Sequence, residues 1–318
     1  MVELSWEAFY AAQEGLAQSL RGGPGQSVLW MQPAAELVTF KTGGNLGGLI
    51  LPRTIDDICD IVEICSFHGI PWLILGLGSN ILFRDGGFPG LVIKMADNFS
   101  QILIESQTVT VKAGTTMREL AYTTARQGLQ GLEFAVDIPG TVGGGLFMNA
   151  GMYDESLGKM VNSVLAIDTI SGKLTSFSQQ EGSFDYRSSR FQTKQEIIVQ
   201  ATFQLLNEDS AVLLGKIEAI ILERQQKFPL EYPNAGSIFK RPVGNYAGAL
   251  IEQAGLKGKR CGGAMVSPKH ANFIINVTQA TATDIENLME EIQAIVWNQF
   301  QIQLQPELKI LGIKSSSH

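Results

Sequence analysis

A glycine loop with a strand on each side constrains this chain more than any other feature. The apolar run Pro71-Trp72-Leu73-Ile74-Leu75 reads as a buried strand, and Gly76-Leu77-Gly78-Ser79-Asn80 follows it. The loop begins like a dinucleotide fingerprint, but Ile81 stands where the third glycine belongs. Ile81-Leu82-Phe83 then reads as another strand, not a helix. A Rossmann site needs a helix N-terminus beneath the diphosphate, so that fold is excluded. Two glycines and a serine between strands leave two readings: a nest of backbone N–H groups facing an anion, or a plain hairpin turn.

A second loop narrows the choice. Ile138-Pro139-Gly140-Thr141-Val142-Gly143-Gly144-Gly145 is followed by Met148-Asn149-Ala150-Gly151. Pro139 fixes one backbone angle. The glycines are read as leaving N–H groups uncovered, so that the segment can lie against a planar ring and a diphosphate. A buried turn packed against a strand is the plainer alternative. Glycine totals 34 of 318 residues without a triplet period, which excludes collagen, and its apolar surroundings argue against a flexible linker.

Charge narrows the partners. The net charge of -7 argues against nucleic acid, which needs a basic footprint. Cys59, Cys65 and Cys261 show no zinc spacing and read as buried thiols in a reducing compartment. With three scattered histidines, no metal site is expected. No basic start followed by an apolar stretch marks a signal peptide, and no apolar run approaches the ~18 residues of a membrane span. A soluble cytoplasmic protein, without a membrane partner, is expected.

The pattern along the chain is mixed α+β. Residues 5–20 carry a helical period that Arg21-Gly22-Gly23-Pro24-Gly25 ends, and 1–30 are read as an N-terminal helical appendage. Thr54 and Asp57 form an approximate capping box for a second helix. Short strands are expected at 91–93, 102–104 and 109–111, a helix over 116–127, strands within 161–205 and a long helix over 211–227. Asn245 is expected to cap a short helix to Ala254, and a strand is expected from Ala271 to Val277. Thr283 and Glu286 read as a second capping box, and Ile302 to Leu311 as a last strand. The tail from Ser315 to His318 is expected to be disordered. A division near 206 separates units at 31–206 and 207–313.

Five segments then stand in the order and spacing of a known family: Leu75-Gly-Leu-Gly-Ser-Asn-Ile-Leu82, Ile138-Pro-Gly-Thr-Val-Gly-Gly144, Tyr186-Arg-Ser-Ser-Arg-Phe191, Asn234-Ala-Gly-Ser-Ile-Phe-Lys240 and Leu304-Gln-Pro-Glu-Leu-Lys-Ile-Leu-Gly312. Over roughly Thr39 to Gly312 the chain resembles the UDP-N-acetylenolpyruvoylglucosamine reductases, flavoenzymes of peptidoglycan synthesis. The resemblance implies an FAD-binding fold of the vanillyl-alcohol-oxidase (PCMH) type in two subdomains, followed by a smaller α+β substrate-binding domain. It implies non-covalent FAD, NADPH as reductant and a nucleotide-sugar substrate. A monomer is expected. The short stretch Pro242-Val-Gly-Asn-Tyr-Ala247 has no room for a long closing loop, so the chain resembles the shorter, type II branch.

Site residues follow from the matched motifs. Gly76, Gly78, Ser79, Asn80, Pro139, Gly140, Thr141, Gly143, Gly144, Asn149 and Gly151 are implied cofactor contacts. Ser237 matches the family's proton donor, and Arg187 and Glu307 the other two catalytic positions. A serine hydroxyl is a feeble acid, adequate only for a strongly basic enolate. Arginine holds a carboxylate bidentately, and a protonated glutamate hydrogen-bonds a developing enol. Without the family match, Ser237 reads as a turn serine, Arg187 as a surface arginine and Glu307 as a solvated strand residue. Tyr153, Tyr186, Lys227 and His270 are implied substrate contacts.

Met152, Asp154, Met265 and Gln305 depart from the usual pattern without removing a catalytic position. Two competing readings are an oxidase of the same flavoprotein class with histidine-tethered FAD, for which His68 is poorly placed, and a nucleotide-binding relative without turnover.

Overall fold

The computed structural model describes residues 5–20 and 28–315. The Arg21–Gly25 stop and the last three residues of the tail lie outside them.

The first unit is built on a parallel core. Helix α1 (Trp6–Leu20) precedes β1 (Leu29–Trp30), β2 (Leu46–Ile50), α2 (Ile55–Phe67), β3 (Trp72–Leu75), β4 (Ile81–Phe83) and β5 (Phe88–Lys94). The sheet order is β1-β2-β5-β3, with β5 parallel to both β2 and β3. β5 is apolar and buried from Phe88 to Ile93 because both its faces are covered. Leu91 and Ile93 enter one hydrophobic core, and Phe88 and Val92 enter another. Thr54 caps α2 in a full capping box with Asp57, as the sequence spacing indicates. Helix α1 does not hang free as an appendage. Phe9, Leu16 and Leu20 are buried in the same core as Ile58 and Ile61 of α2, and Trp6 Nε1 donates to Gly86 O at 2.7 Å.

The second layer is antiparallel. Strands β6 (Ile102–Glu105), β7 (Thr108–Lys112), β8 (Val161–Asp168), β9 (Leu174–Ser178) and β10 (Glu196–Gln204) form a sheet in the order β9-β8-β10-β7-β6. Between β7 and β8 lie α3 (Met117–Arg126) and α4 (Val142–Phe147). α4 corrects the expectation of an open second loop. Thr141 caps it, its Oγ1 accepting from Gly144 N. Gly143 and Gly145 are buried, and a Cβ at either would sit 2.8 Å from Ala113 Cβ or 2.6 Å from Leu157 Cδ1. Close packing, not backbone freedom, explains those two glycines.

Helix α5 (Ser210–Lys227) packs on α3, where Leu213 and Ile217 join Ala121, Ala125 and Val136 in a small core. The chain then crosses to a second unit holding α6 (Ala247–Gln253), the antiparallel sheet β11 (Arg260–Cys261), β12 (Ala264–Val266) and β13 (Ile274–Asn276), and α7 (Ala282–Phe300). It returns through β14 (Lys309–Leu311), which pairs in parallel with β4.

Several expected boundaries move. β13 and β14 are shorter than the apolar runs suggested, because each run starts as irregular backbone. Tyr246, not Asn245, precedes α6, and its side chain makes no cap hydrogen bond. α7 is capped by Thr281 with Asp284, two residues before the expected pair. Of the cysteines only Cys65 is buried, its thiol pushed up to about 12 by desolvation; Cys59 and Cys261 are half-buried.

Candidate functional site

The two glycine segments meet. Ser79 Oγ donates to Pro139 O at 2.7 Å, and a Cβ on Gly76 would lie 2.4 Å from Thr141 Oγ1. Gly78 takes φ +64 and packs so close to the 37–38 backbone that a Cβ would fall 2.6 Å from Leu37 O. The backbone N–H groups of Leu77, Gly78, Ser79, Asn80, Gly140 and Thr141 find no acceptor among the described residues. Successive backbone N–H groups left free of protein acceptors in neighbouring loops can together receive an anion. Gly143 and Gly144 differ from that set: Gly143 N donates to Ala113 O at 2.8 Å and Gly144 N to Thr141 Oγ1 at 3.3 Å. Their N–H groups are therefore not uncovered, as the sequence suggested. The donor set that remains fits a dinucleotide diphosphate.

Beyond this nest opens a cleft of about 1000 Å³ between the two units. Asn149, Gly151, Tyr153, Tyr186, Arg187, Ser237, His270 and Glu307 all line it. Glu307 lies just before β14, and the β4–β14 pairing sets it beside the first glycine loop: Lys309 N donates to Asn80 O at 3.1 Å, and Asn80 Nδ2 to Glu307 O at 3.3 Å. Glu307 N in turn donates to Ile238 O at 2.8 Å, which sets the Ser237 segment alongside.

Arg187 reaches the same point from the other unit. Its Nε donates to Glu307 Oε1 at 2.6 Å, and its backbone sits at φ +53, a left-handed conformation unfavourable for a residue with a Cβ. Such strain persists where the surroundings fix it, and it gathers at functional sites. Burial pushes the Glu307 carboxyl up, and the charge and hydrogen bond of Arg187 pull it down in part. Glu307 is thus a partly buried, paired carboxyl and not a solvated strand residue.

Ser237 follows Gly236, whose φ is +73. The turn-serine alternative is not seen: Asn234 Oδ1, not Ser237, accepts from Gly236 N at 2.9 Å, and the Ser237 hydroxyl makes no hydrogen bond among the described residues. Asn272 holds the segment that follows: its carbonyl accepts from Ile238 N at 2.9 Å, and its side chain accepts from Phe239 N at 3.1 Å and donates to Phe239 O at 2.9 Å.

The remaining residues divide. His270 stacks on Phe228 with centroids 5.2 Å apart, and its Nδ1 accepts from Asn272 N at 3.3 Å. Desolvation lowers its pKa. Tyr186 OH accepts from Arg241 N at 3.2 Å. Tyr153, at φ +58, is exposed and donates to Glu223, which also holds Lys227. Lys227 is not among the residues lining the cleft. Asn149 is engaged within the fold, accepting from Gly158 N at 2.9 Å and donating to Asp185 O at 2.8 Å. It and Gly151 sit on the cleft wall, not in the nest. His68 hydrogen-bonds Ser19 Oγ at 2.8 Å where α2 ends against α1.

Sequence reasoning missed Asn272, Phe228 and Arg241, the last stacked on Tyr246 at 4.6 Å. Only the basic pair Lys240-Arg241 after the Ser237 motif hinted at a charged cleft wall.

Residues 47–177 match the model of an FAD binding domain, and residues 228–311 that of the UDP-N-acetylenolpyruvoylglucosamine reductase C-terminal domain. Fold and site therefore define an FAD-binding oxidoreductase with a separate substrate-side unit. Over 280 residues the chain is 40% identical to the UDP-N-acetylenolpyruvoylglucosamine reductase of Lactobacillus helveticus, covering 88% of this chain and 93% of that one. Over 289 residues it is 40% identical to that of Syntrophomonas wolfei, covering 91% and 96%. The crystal structure of the Thermus caldophilus enzyme superposes with a TM-score of 0.78 at 29% identity, covering 90% of this chain and all of that one. The chain belongs to the UDP-N-acetylenolpyruvoylglucosamine reductase family. The α+β FAD-binding fold expected from the motifs is the fold present, and no helix among the described residues is long and apolar enough to cross a membrane.

Proposed function

We propose that Arg187, Glu307 and Ser237 carry the chemistry of this reductase at the cleft between its two units. The protein is an FAD-dependent enzyme that converts UDP-N-acetylenolpyruvoylglucosamine to UDP-N-acetylmuramate with NADPH. Bound FAD supplies hydride transfer, from NADPH to the enolpyruvyl double bond. The N–H groups of Leu77–Asn80, Gly140 and Thr141 hold its diphosphate, and Gly76, Pro139, Gly143 and Gly144 shape the surface around it. Asn149 and Gly151 border it from the cleft wall.

Hydride arrives at the terminal methylene carbon, and negative charge builds on the adjoining carboxylate. Arg187 binds that carboxylate. Two carboxylates sharing one guanidinium repel each other, so substrate binding raises the Glu307 pKa beyond what burial does. A protonated Glu307 then donates to the developing enol. Fixed donors in a site screened from water stabilise such charge strongly. The free hydroxyl of Ser237 delivers the proton to the neighbouring carbon. Tyr153, Tyr186 and His270 contact the nucleotide-sugar from the cleft, and Lys227 is placed at its margin, where Glu223 links it to Tyr153. We further propose a cytoplasmic monomer, dividing into an N-terminal segment over 1–30, an FAD-binding domain over 31–206 and a substrate-binding domain over 207–313, whose first helix, α5, lies against the FAD-binding domain before the chain crosses over.

The observation that carries this reading is the Arg187–Glu307 pair at 2.6 Å, set beside Ser237 and the glycine nest. An absorbance spectrum tests it. NADPH is expected to bleach the yellow chromophore, and UDP-N-acetylenolpyruvoylglucosamine to restore it. A bleached enzyme that this substrate leaves unoxidised would refute the reading.

A further inference from the structure

We infer that Asn80 is a positioning residue for Glu307, joining the cofactor loop to the catalytic carboxyl through its side chain. The inference rests on the role given to Glu307 above.

Asn80 contacts the Glu307 strand twice. Its carbonyl accepts from Lys309 N at 3.1 Å, and its side-chain amide donates to Glu307 O at 3.3 Å. These bonds bracket Glu307 just ahead of the parallel register that sets Lys309 against Ile81. The opposite edge of Glu307 is held by Ile238 O, which accepts from its N–H at 2.8 Å. Glu307 is therefore gripped on one edge by the segment that bears Ser237 and on the other by the loop that forms the nest.

The two ends of Asn80 look different ways. Its backbone N–H has no acceptor among the described residues and belongs to the donor set of the nest. Its side-chain amide is committed to Glu307. A cofactor that settles on the nest therefore fixes, through this one residue, the backbone from which the Glu307 carboxyl is presented. A displacement of ~1 Å at such a group can cost about a hundredfold in rate. The effect should appear only where Glu307 acts, in the reoxidation of reduced enzyme by the nucleotide-sugar.

The test measures the two half-reactions separately on FAD-loaded Asn80→Ala, using stopped-flow absorbance. Bleaching by NADPH, measured on the same variant, reads whatever the substitution does to the flavin loop itself, and the inference concerns the loss in reoxidation beyond it. Reoxidation by UDP-N-acetylenolpyruvoylglucosamine is expected to slow by about tenfold or more, with its pH profile displaced. The main-chain bond from Lys309 survives the substitution. Asn80→Asp, which keeps the shape but loses the donor, serves as a second variant and should slow the same step.

A double-mutant cycle separates positioning from general damage. In a Glu307→Gln background, Asn80→Ala should have no further effect on reoxidation. Equal loss in both half-reactions, or an undiminished Asn80→Ala effect in the Glu307→Gln background, overturns the inference. So does a large fall in FAD affinity, read by flavin fluorescence, with normal reoxidation of the loaded fraction. If Glu307→Gln alone leaves reoxidation unchanged, the role of Glu307 falls first, and the positioning of that carboxyl with it.

Discussion

Arg187 Nε and Glu307 Oε1 lie 2.6 Å apart across 120 residues of sequence and across the seam between the two units. Neither group is in its usual setting. Arg187 occupies a left-handed backbone conformation, and Glu307 is partly buried, with desolvation raising its pKa. The pair ties a titratable acid to a permanent cation at the point where an anionic substrate must develop charge. In the proposed reaction a substrate carboxylate competes for the same guanidinium, so the pH dependence of reoxidation is the place where Glu307 is tested.

Ser237→Ala is expected to leave bleaching by NADPH intact and to slow reoxidation by the nucleotide-sugar by roughly 10²–10⁴-fold, the usual contribution of a positioned proton donor. Single-turnover absorbance resolves the two phases. An undiminished reoxidation rate removes Ser237 from the mechanism.

The pH dependence has a definite sign. Burial raises the Glu307 pKa in the folded protein, so the folded chain keeps this proton to higher pH than the unfolded chain. Its stabilising contribution is complete below the ordinary carboxylate range and is lost as pH rises through the folded value. Reoxidation should also weaken as pH rises, but at a higher pH than the stability change, because the proposed substrate carboxylate raises the Glu307 pKa further. Glu307→Gln should flatten both slopes, measured by urea midpoints and by reoxidation rates across pH.

His270 carries the opposite sign. Desolvation lowers its pKa, so its contribution is complete above the ordinary histidine range and is lost as pH falls through the folded value. Protonation would also remove the acceptor that Asn272 N uses. His270→Phe, which keeps a ring to stack on Phe228, should be less sensitive to acid in thermal melts.

Gly78→Ala meets both a left-handed backbone and the Leu37 carbonyl, 2.6 Å from the added carbon. A loss of about 1–3 kcal/mol is expected, together with weakened flavin binding. Urea unfolding and flavin fluorescence read the two effects. Gly172→Ala is the control: it shares a positive φ of 67 but has no atom within 4 Å of the new carbon.

Asp85→Ala should cost about 0.5–2 kcal/mol. The Asp85 carboxylate accepts from Ala282 N and Thr283 N, both at 2.8 Å, at the start of α7. Urea midpoints of the two proteins measure the difference, and no change would show that water replaces the carboxylate.

That same helix start explains one misreading of the sequence. Thr281 and Thr283 each stand three residues before an acid. Local spacing does not choose between them. Partners distant in sequence do: Asp85 takes the Thr283 hydroxyl at 2.6 Å, and Arg84 takes Glu286 at 3.1 Å. Thr281 and Asp284 are left to close the capping box. At α2 no rival threonine stands nearby, and Thr54 with Asp57 was legible at once.

The second glycine segment went wrong for a related reason. Three consecutive glycines oppose a helix on local propensity, and only packing against Ala113, Met117 and Leu157 makes α4 favourable. The glycine nest itself was half legible, since a Gly-x-Gly loop between strands leaves nest and turn equally open. The meeting of Arg187 with Glu307 was not legible from spacing at all. It came from the matched motifs, because only the return of β14 to β4 brings the two segments together.

That return also limits how the enzyme moves. The substrate-side unit leaves the flavin-side unit after α5 and rejoins it at β14, so the chain crosses between them twice. Between these two ties the units share a single hydrophobic core, in which Leu75, Leu82 and Val92 stand with Ile238, Ile274 and Ile292. A joint that is both tied twice and filled resists hinging, because parting the units would expose that core to water, and Glu307, next to one tie, is braced with it.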